Sequence, residues 1–371
     1  MTADPGLAHV AGAAERNERE RRLDEETVEV LRATGVFESL VPAELGGGEV
    51  EPAELIAAVE AISAADGSAG WCAGVGATAG LAAAYLPPDA ASRLFGPPPG
   101  IAAGVFAPRG KLTAVGDGGR MALSGRWPLA SGITHADVAG FGCIHPERGP
   151  LYAVVPRDAV KVIETWDSLG LRATGSHDVE IPGIEVAPSD VVDLVGGSPV
   201  AGGPLYRFPL FGLLALSVSA VCTGLALGAL EDLKEAAATR KPLGSTRSLA
   251  ERGTTQATVA EAEAALRAAR AGVDAAVAHA WDRAVDGEEL EIDDRVALRL
   301  AATHAAQVSV GVVDTAHRLS GSGGLYAGLP ERRLRDVHTA AQHMIVAPAT
   351  LELTGRALLG APGDERDLSQ L

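Results

Sequence analysis

The stretch RDVHTAAQHMIVAPAT, Arg335 to Thr350, carries two histidines on what reads as a helix from Arg335 to about Val346, stopped before Pro348. At about 100° per residue, Asp336, Thr339 and His343 share one face and His338 points elsewhere. A helical histidine is most often a hydrogen-bonded structural residue. Its chemistry near neutral pH is to donate one hydrogen bond and accept one proton. Cys72, Cys143 and Cys222 are widely spaced, without a CxxC pair or metal-ligand spacing, so no metal site is expected.

Three successive regions must position these groups. From Glu18 to about Leu94 the signals are helical. Leu23, Val28 and Leu31 recur at helical spacing before Gly35; Leu55, Val59 and Ile62 repeat the pattern after Pro52. Asp66-Gly67-Ser68 then caps an Ala/Gly-rich run from Ala69 to Leu86, too apolar all round for a surface helix. From about Gly100 to Leu194, short β-branched runs (KLTAV, RMALSG, LYAVV, VKVIET) are separated by GDGG, PERGP and PSD turns, which predicts a β-sandwich or β-barrel. Long helices return at Phe208 to Leu230, roughly Thr254 to Val285, and Asp294 to Leu319. With the Arg335 helix they predict an antiparallel four-helix bundle. The expected fold is α+β multidomain: a helical domain over residues 1–99, a central β domain over 100–204 and the bundle over 205–371.

Composition narrows the function classes. Apolar residues make up 47% and aromatics 4%, so Ala, Leu, Val and Gly do the packing, and a net charge of -17 argues against nucleic acid or an anionic membrane as partner. The 23 uncharged residues from Phe208 to Leu230 are long enough to span a membrane. They lack aromatic belts and a second span, so a buried bundle helix is the better reading. The first residues show no apolar signal core, and the cysteine pattern fits a reducing cytoplasm.

The order of domains, with TWDSLGLRATGSHDVEIPGIEV (Thr165 to Val186) and FESLVPAELGGGEV (Phe37 to Val50), resembles the acyl-CoA dehydrogenase superfamily. Three further stretches, DGSAGWCAGVG (Asp66 to Gly76), LSGRWPLASGITHADV (Leu123 to Val138) and LPERRLRDVHTAAQH (Leu329 to His343), resemble its two-component flavin-dependent monooxygenases, related to p-hydroxyphenylacetate hydroxylase. The resemblance implies an oxygenase component that takes reduced FMN or FAD from a separate reductase. It would form a flavin C4a-hydroperoxide with O2 and hydroxylate a small aromatic, polyketide or amine substrate, as a homotetramer. A dehydrogenase of this superfamily usually draws its base from a glutamate that would fall at about His343 or Met344. No carboxylate lies between Val337 and Thr350, and the next is Glu352.

By resemblance, His343 is the oxygen-handling residue and Ser131 the hydroxyl that hydrogen-bonds flavin N5. Leu129, Ala130, Ser131 and Gly132 form the loop along the isoalloxazine edge, where small residues allow close approach. Trp71, Val75 and Thr78 are the candidate substrate pocket, and His135 is read as a structural turn residue. Gly321, Ser322 and Gly323 can aim backbone N–H groups at a flavin or phosphate. Arg247 and Gln256, in the linker between bundle helices, are candidates for a neighbouring subunit's flavin. Two departures from the subgroup are visible: no histidine in VGATAGL (Val75 to Leu81), and Val138 where a tryptophan is common. They leave open a dehydrogenase with an unidentified base, or a flavin-free scaffold.

Overall fold

The computed structural model describes residues 5–115 and 119–361. The GDGG turn therefore falls mostly outside the described residues. The N-terminal helices are α1 (Pro5–Glu20), α2 (Glu25–Ala33), α3 (Pro52–Ala65), α4 (Gly67–Gly80) and α5 (Pro88–Phe95). Asp24 caps α2 by accepting the Thr27 N–H at 2.8 Å, and Asp66 caps α4 by accepting the Ala69 N–H at 2.9 Å. Helix α4 is buried on nearly every side, and its small residues make that possible. A Cβ at Gly70 would overlap Ser63, and one at Gly76 would meet the Phe37 ring.

The β domain is one mixed sheet in the order β5-β6-β2-β1-β3-β4-β7. Its strands are β1 (Ala102–Val115), β2 (Arg120–Ala130), β3 (Val138–His145), β4 (Gly149–Pro156), β5 (Lys161–Ile163), β6 (His177–Val186) and β7 (Val191–Val192). Among the described residues, β1 and β3 alone pair in parallel; their register shifts between Val105 and Gly110. The sheet closes on its own apolar core around Trp127 and Phe141, with Trp127 Nε1 donating to the Gly142 carbonyl at 2.7 Å.

The C-terminal helices are α6 (Leu210–Thr239), α7 (Gly253–Val285), α8 (Ile292–Leu319), α9 (Leu329–Ala340) and α10 (Thr350–Leu358). Both α6 and α8 are long and apolar enough to cross a membrane, but 78% of the most apolar stretch of α6 is buried inside the protein. Helix α6 is the axis on which α3, α4, α8 and α9 pack. Gly67 lies against Leu225 and Asp336, Gly74 against Ser217, and Gly228 against Arg333. Helices α4 and α9 therefore both run antiparallel to α6, with their sites facing its middle.

One element differs from expectation. Helix α9 ends at Ala340, so His343 does not share a helical face with Asp336 and Thr339; it sits in the turn that follows. The His343 carbonyl accepts from the Val346 and Ala347 N–H groups, both at 3.0 Å. No glycine or proline stops the helix before Pro348. The stop is tertiary: Ile345 and Val346 turn into the core, while Gln342, His343 and Met344 stay exposed.

Candidate active site

Asp336 and Arg335 clamp the segment between β5 and β6. The Asp336 carboxylate accepts the Leu171 N–H at 2.6 Å, and Arg335 Nη1 donates to the Leu169 carbonyl at 2.8 Å. Gly170 sits so close to the Arg335 carbonyl that a side chain would overlap it. Burial pushes the Asp336 carboxyl up to about 7, helped by the charge of nearby Asp66. Asp336 is thus the anchor of a loop and has no role as an imidazole partner.

That loop delivers two hydroxyls to Ser131. Ser131 Oγ lies 2.7 Å from Ser176 Oγ, which lies 2.6 Å from Thr174 Oγ1; Thr174 in turn donates to the Leu171 carbonyl at 2.8 Å. A carbonyl only accepts and each hydroxyl has one proton, so the direction is fixed: Ser131 donates to Ser176, and Ser176 to Thr174. The fourth member is Trp71, whose Nε1–H donates to Ser131 Oγ at 3.0 Å. Ser131 is left with one unused lone pair and no proton to give.

Trp71 also reaches His343. Their ring centroids are 5.6 Å apart at 68°, an edge-to-face pair. The His343 side chain is exposed to solvent, although protein atoms crowd its ring enough to desolvate it. Its Nδ1 accepts the Ile345 N–H at 3.4 Å, which assigns the proton of the neutral ring to Nε2. Burial, with the charge of Arg299 added, lowers its pKa below the usual imidazole value. Glu352, the nearest following carboxylate, is exposed on α10 and pairs with Arg356 at 3.4 Å, so it does not enter the site.

The other candidates divide into two groups. Leu129 is 62% exposed with φ +62°, a strained conformation for a leucine, next to buried Ala130 and to Gly132 at φ +73°. Val75 and Thr78 continue the Trp71 helix, and the Thr78 hydroxyl is spent on the Gly74 and Val75 carbonyls. His135 is buried against Phe37, its pKa held down to about 4 by desolvation, which fits a structural residue. The second group is elsewhere on the chain. Gly321 and Gly323 lie beneath the Arg240 guanidinium, with exposed Ser322 between them, at the opposite end of α9 from His343. Arg247 and Gln256 are exposed in and just after the α6–α7 linker, with the Gln256 amide bonded to the Ala250 carbonyl at 2.8 Å. His338, on α9, bonds Asp314 at 2.8 Å. Sequence reasoning missed Ser176 and Thr174, although both stand in the quoted RATGS motif; it also missed Arg299, which no local pattern marks.

The family models for the acyl-CoA dehydrogenase N-terminal and C-terminal domains match residues 7–87 and 216–348. The indole-3-acetate monooxygenase of Pseudomonas putida is 35% identical over 92% of this chain and 89% of its own length. The chain belongs to the acyl-CoA dehydrogenase family, in its flavin-dependent monooxygenase branch. The oxygenase component of the FADH(2)-dependent resorcinol hydroxylase of Rhizobium sp. is 29% identical over 94% of this chain and 90% of its own length. Among solved structures, the 3-HSA hydroxylase from Rhodococcus sp. RHA1 superposes with a TM-score of 0.91 at 25% identity, covering 98% of this chain and 96% of that one. The monooxygenase is an oxidoreductase that works with reduced flavin and O2, and the residues present fit that cofactor. Leu129 is exposed at the start of the loop, Ser131 can accept from a reduced-ring N–H, and His343 offers a donor across Trp71.

Proposed function

We propose that this monooxygenase is the oxygenase component of a two-component system, with a separate cytoplasmic reductase supplying reduced FMN or FAD, and that it hydroxylates a small aromatic substrate. The observation that carries the assignment of residues is Trp71 joining Ser131 to His343, on a segment with no carboxylate between Val337 and Thr350. Reduced flavin supplies the two electrons that let one atom of O2 enter the substrate while the other leaves as water. Ser131 would accept the N5–H of a bound reduced flavin with its remaining lone pair. His343, its pKa lowered, would donate from Nε2 to oxygen bound in the site, with Trp71 packed beside it. The relatives named for indole-3-acetate and resorcinol support an aromatic substrate beside Trp71, Val75 and Thr78.

Homotetramer formation belongs to the same proposal. Leu243, Leu325 and Tyr326 are exposed apolar side chains from the α6–α7 linker and the α8–α9 turn, close in sequence to Arg247 and Gly321–Gly323. Such a patch suits contact with a neighbouring copy, whose flavin Arg247, Gln256, Gly321, Ser322 and Gly323 would then reach. The reading is tested by anaerobic titration with photoreduced FMN and FAD, followed by rapid mixing with O2 and an aromatic substrate. Tight binding of the reduced forms and a hydroxylated product are expected; no binding of either flavin overturns it.

A further inference from the structure

Among the described residues, Arg299 on α8 is a buried cation without a counter-ion. The residue is 4% exposed, and its Nη1 donates to the Phe211 carbonyl at 3.2 Å. Among the described residues no carboxylate pairs with it, and its Nε has no acceptor. Desolvation alone brings its pKa down to about 10, with no acidic neighbour offsetting it. A buried guanidinium left in this condition is costly, and an anion that arrives later removes the cost. One turn further along the same face, Thr303 is fully buried with its hydroxyl also unpartnered among the described residues.

Position connects this pair to the active site. Phe211 and Gly212 of α6 lie against Arg299 and Leu298. About 9 Å further along α6, Ser217 lies against Gly74, between Trp71 and Thr78 of the pocket helix. On the other side, Arg299 is the charged group that His343 feels. We infer that Arg299 and Thr303 form the subsite for the carboxylate of an aromatic acid whose ring lies against the Trp71–His343 pair. The planar guanidinium offers a carboxylate two parallel donors, and the threonine hydroxyl gives it a further one. This deepens the aromatic-hydroxylase reading and rests on it.

The test is calorimetric titration of the whole protein with indole-3-acetate and with indole-3-acetamide, its neutral counterpart. Wild type is expected to prefer the acid by about tenfold or more. That preference should fall to within about twofold in Arg299→Met, be partly kept in Arg299→Lys, and drop several-fold in Thr303→Val. Arg299→Met should melt no lower than wild type, because it removes an unpaired buried charge, whereas a structural arginine would be missed. Equal binding of acid and amide by wild type overturns the inference, as does a preference that survives Arg299→Met. Loss of reduced-FMN affinity in Arg299→Met with the acid preference intact would also overturn it, assigning the cation to the flavin. The hydroxylase reading stands or falls separately, on product formation by wild type from any neutral arene.

Discussion

In the proposed reaction His343 acts as a neutral donor, and its surroundings oppose its protonation. Burial and the Arg299 charge both oppose protonation, so coupling of flavin oxidation to hydroxylation should hold at neutral pH and fail only below the ordinary imidazole range. His343→Ala should lower product yield on the order of a hundredfold while hydrogen peroxide release rises; unchanged coupling, read from the product-to-peroxide ratio, would remove His343 from the reaction. The hydroxyl chain makes a second expectation. In Ser176→Ala the Ser131 proton loses its acceptor and can turn toward the ligand, which favours an oxidised N5 over a reduced N5–H. The ratio of reduced to oxidised FMN affinity should drop by about tenfold, one hydrogen bond's worth, in paired anaerobic and aerobic titrations. His135 makes a third, concerning stability. Its folded pKa of about 4 lies below the unfolded value of about 6.5, so the unfolded chain binds more protons between them. Stability should therefore fall as pH drops from 6.5 to 4, by roughly 1.4 kcal/mol per unit. Denaturant melts of His135→Gln should lose that part of the slope.

Among the elements, α9 does most to assemble the site, through its grip on the segment before β6. Asp336→Ala leaves the buried Leu171 N–H without an acceptor, a loss of about 1–3 kcal/mol, and loosens Thr174 and Ser176 with it. Asp336→Asn keeps an acceptor there and should restore most of the melting temperature. With its pKa raised to about 7, Asp336 contributes most below the unfolded value of about 3.9 and progressively less as pH rises through 7. The Asn variant should be correspondingly less sensitive to the rise from about pH 4 to pH 7. Sequence and structure part company at the C-terminal end of this helix. Helices α7 and α8 were legible to within a residue or two, because Ala-rich runs with an apolar stripe have local causes. The stop at Ala340 has none, since Ile345 and Val346 are drawn into a core that the stretch itself does not contain. Ser131 and His343 were legible only through resemblance. Their connection through Trp71, and the unpaired state of Arg299, exist only once distant segments meet.

For the whole molecule, the acyl-CoA dehydrogenase frame supplies the scaffold and the site chemistry is carried on it. The expected tetramer has four copies of 37.7 kDa. Light scattering on wild type and on Tyr326→Asp checks it: the variant should shift toward smaller species and bind flavin more weakly, since a charge at an apolar contact opposes association. A monomeric wild type that binds reduced flavin at full strength would refute that arrangement.

The edge-to-face contact between Trp71 and His343 also has an optical consequence. The chain has four tryptophans, and Trp71 alone among them touches both Ser131 and His343. Its emission should report on the site from within, quenched as a flavin ring arrives and altered again when His343 takes a proton. Comparing wild type with Trp71→Phe would isolate that signal and time the order in which cofactor and substrate enter.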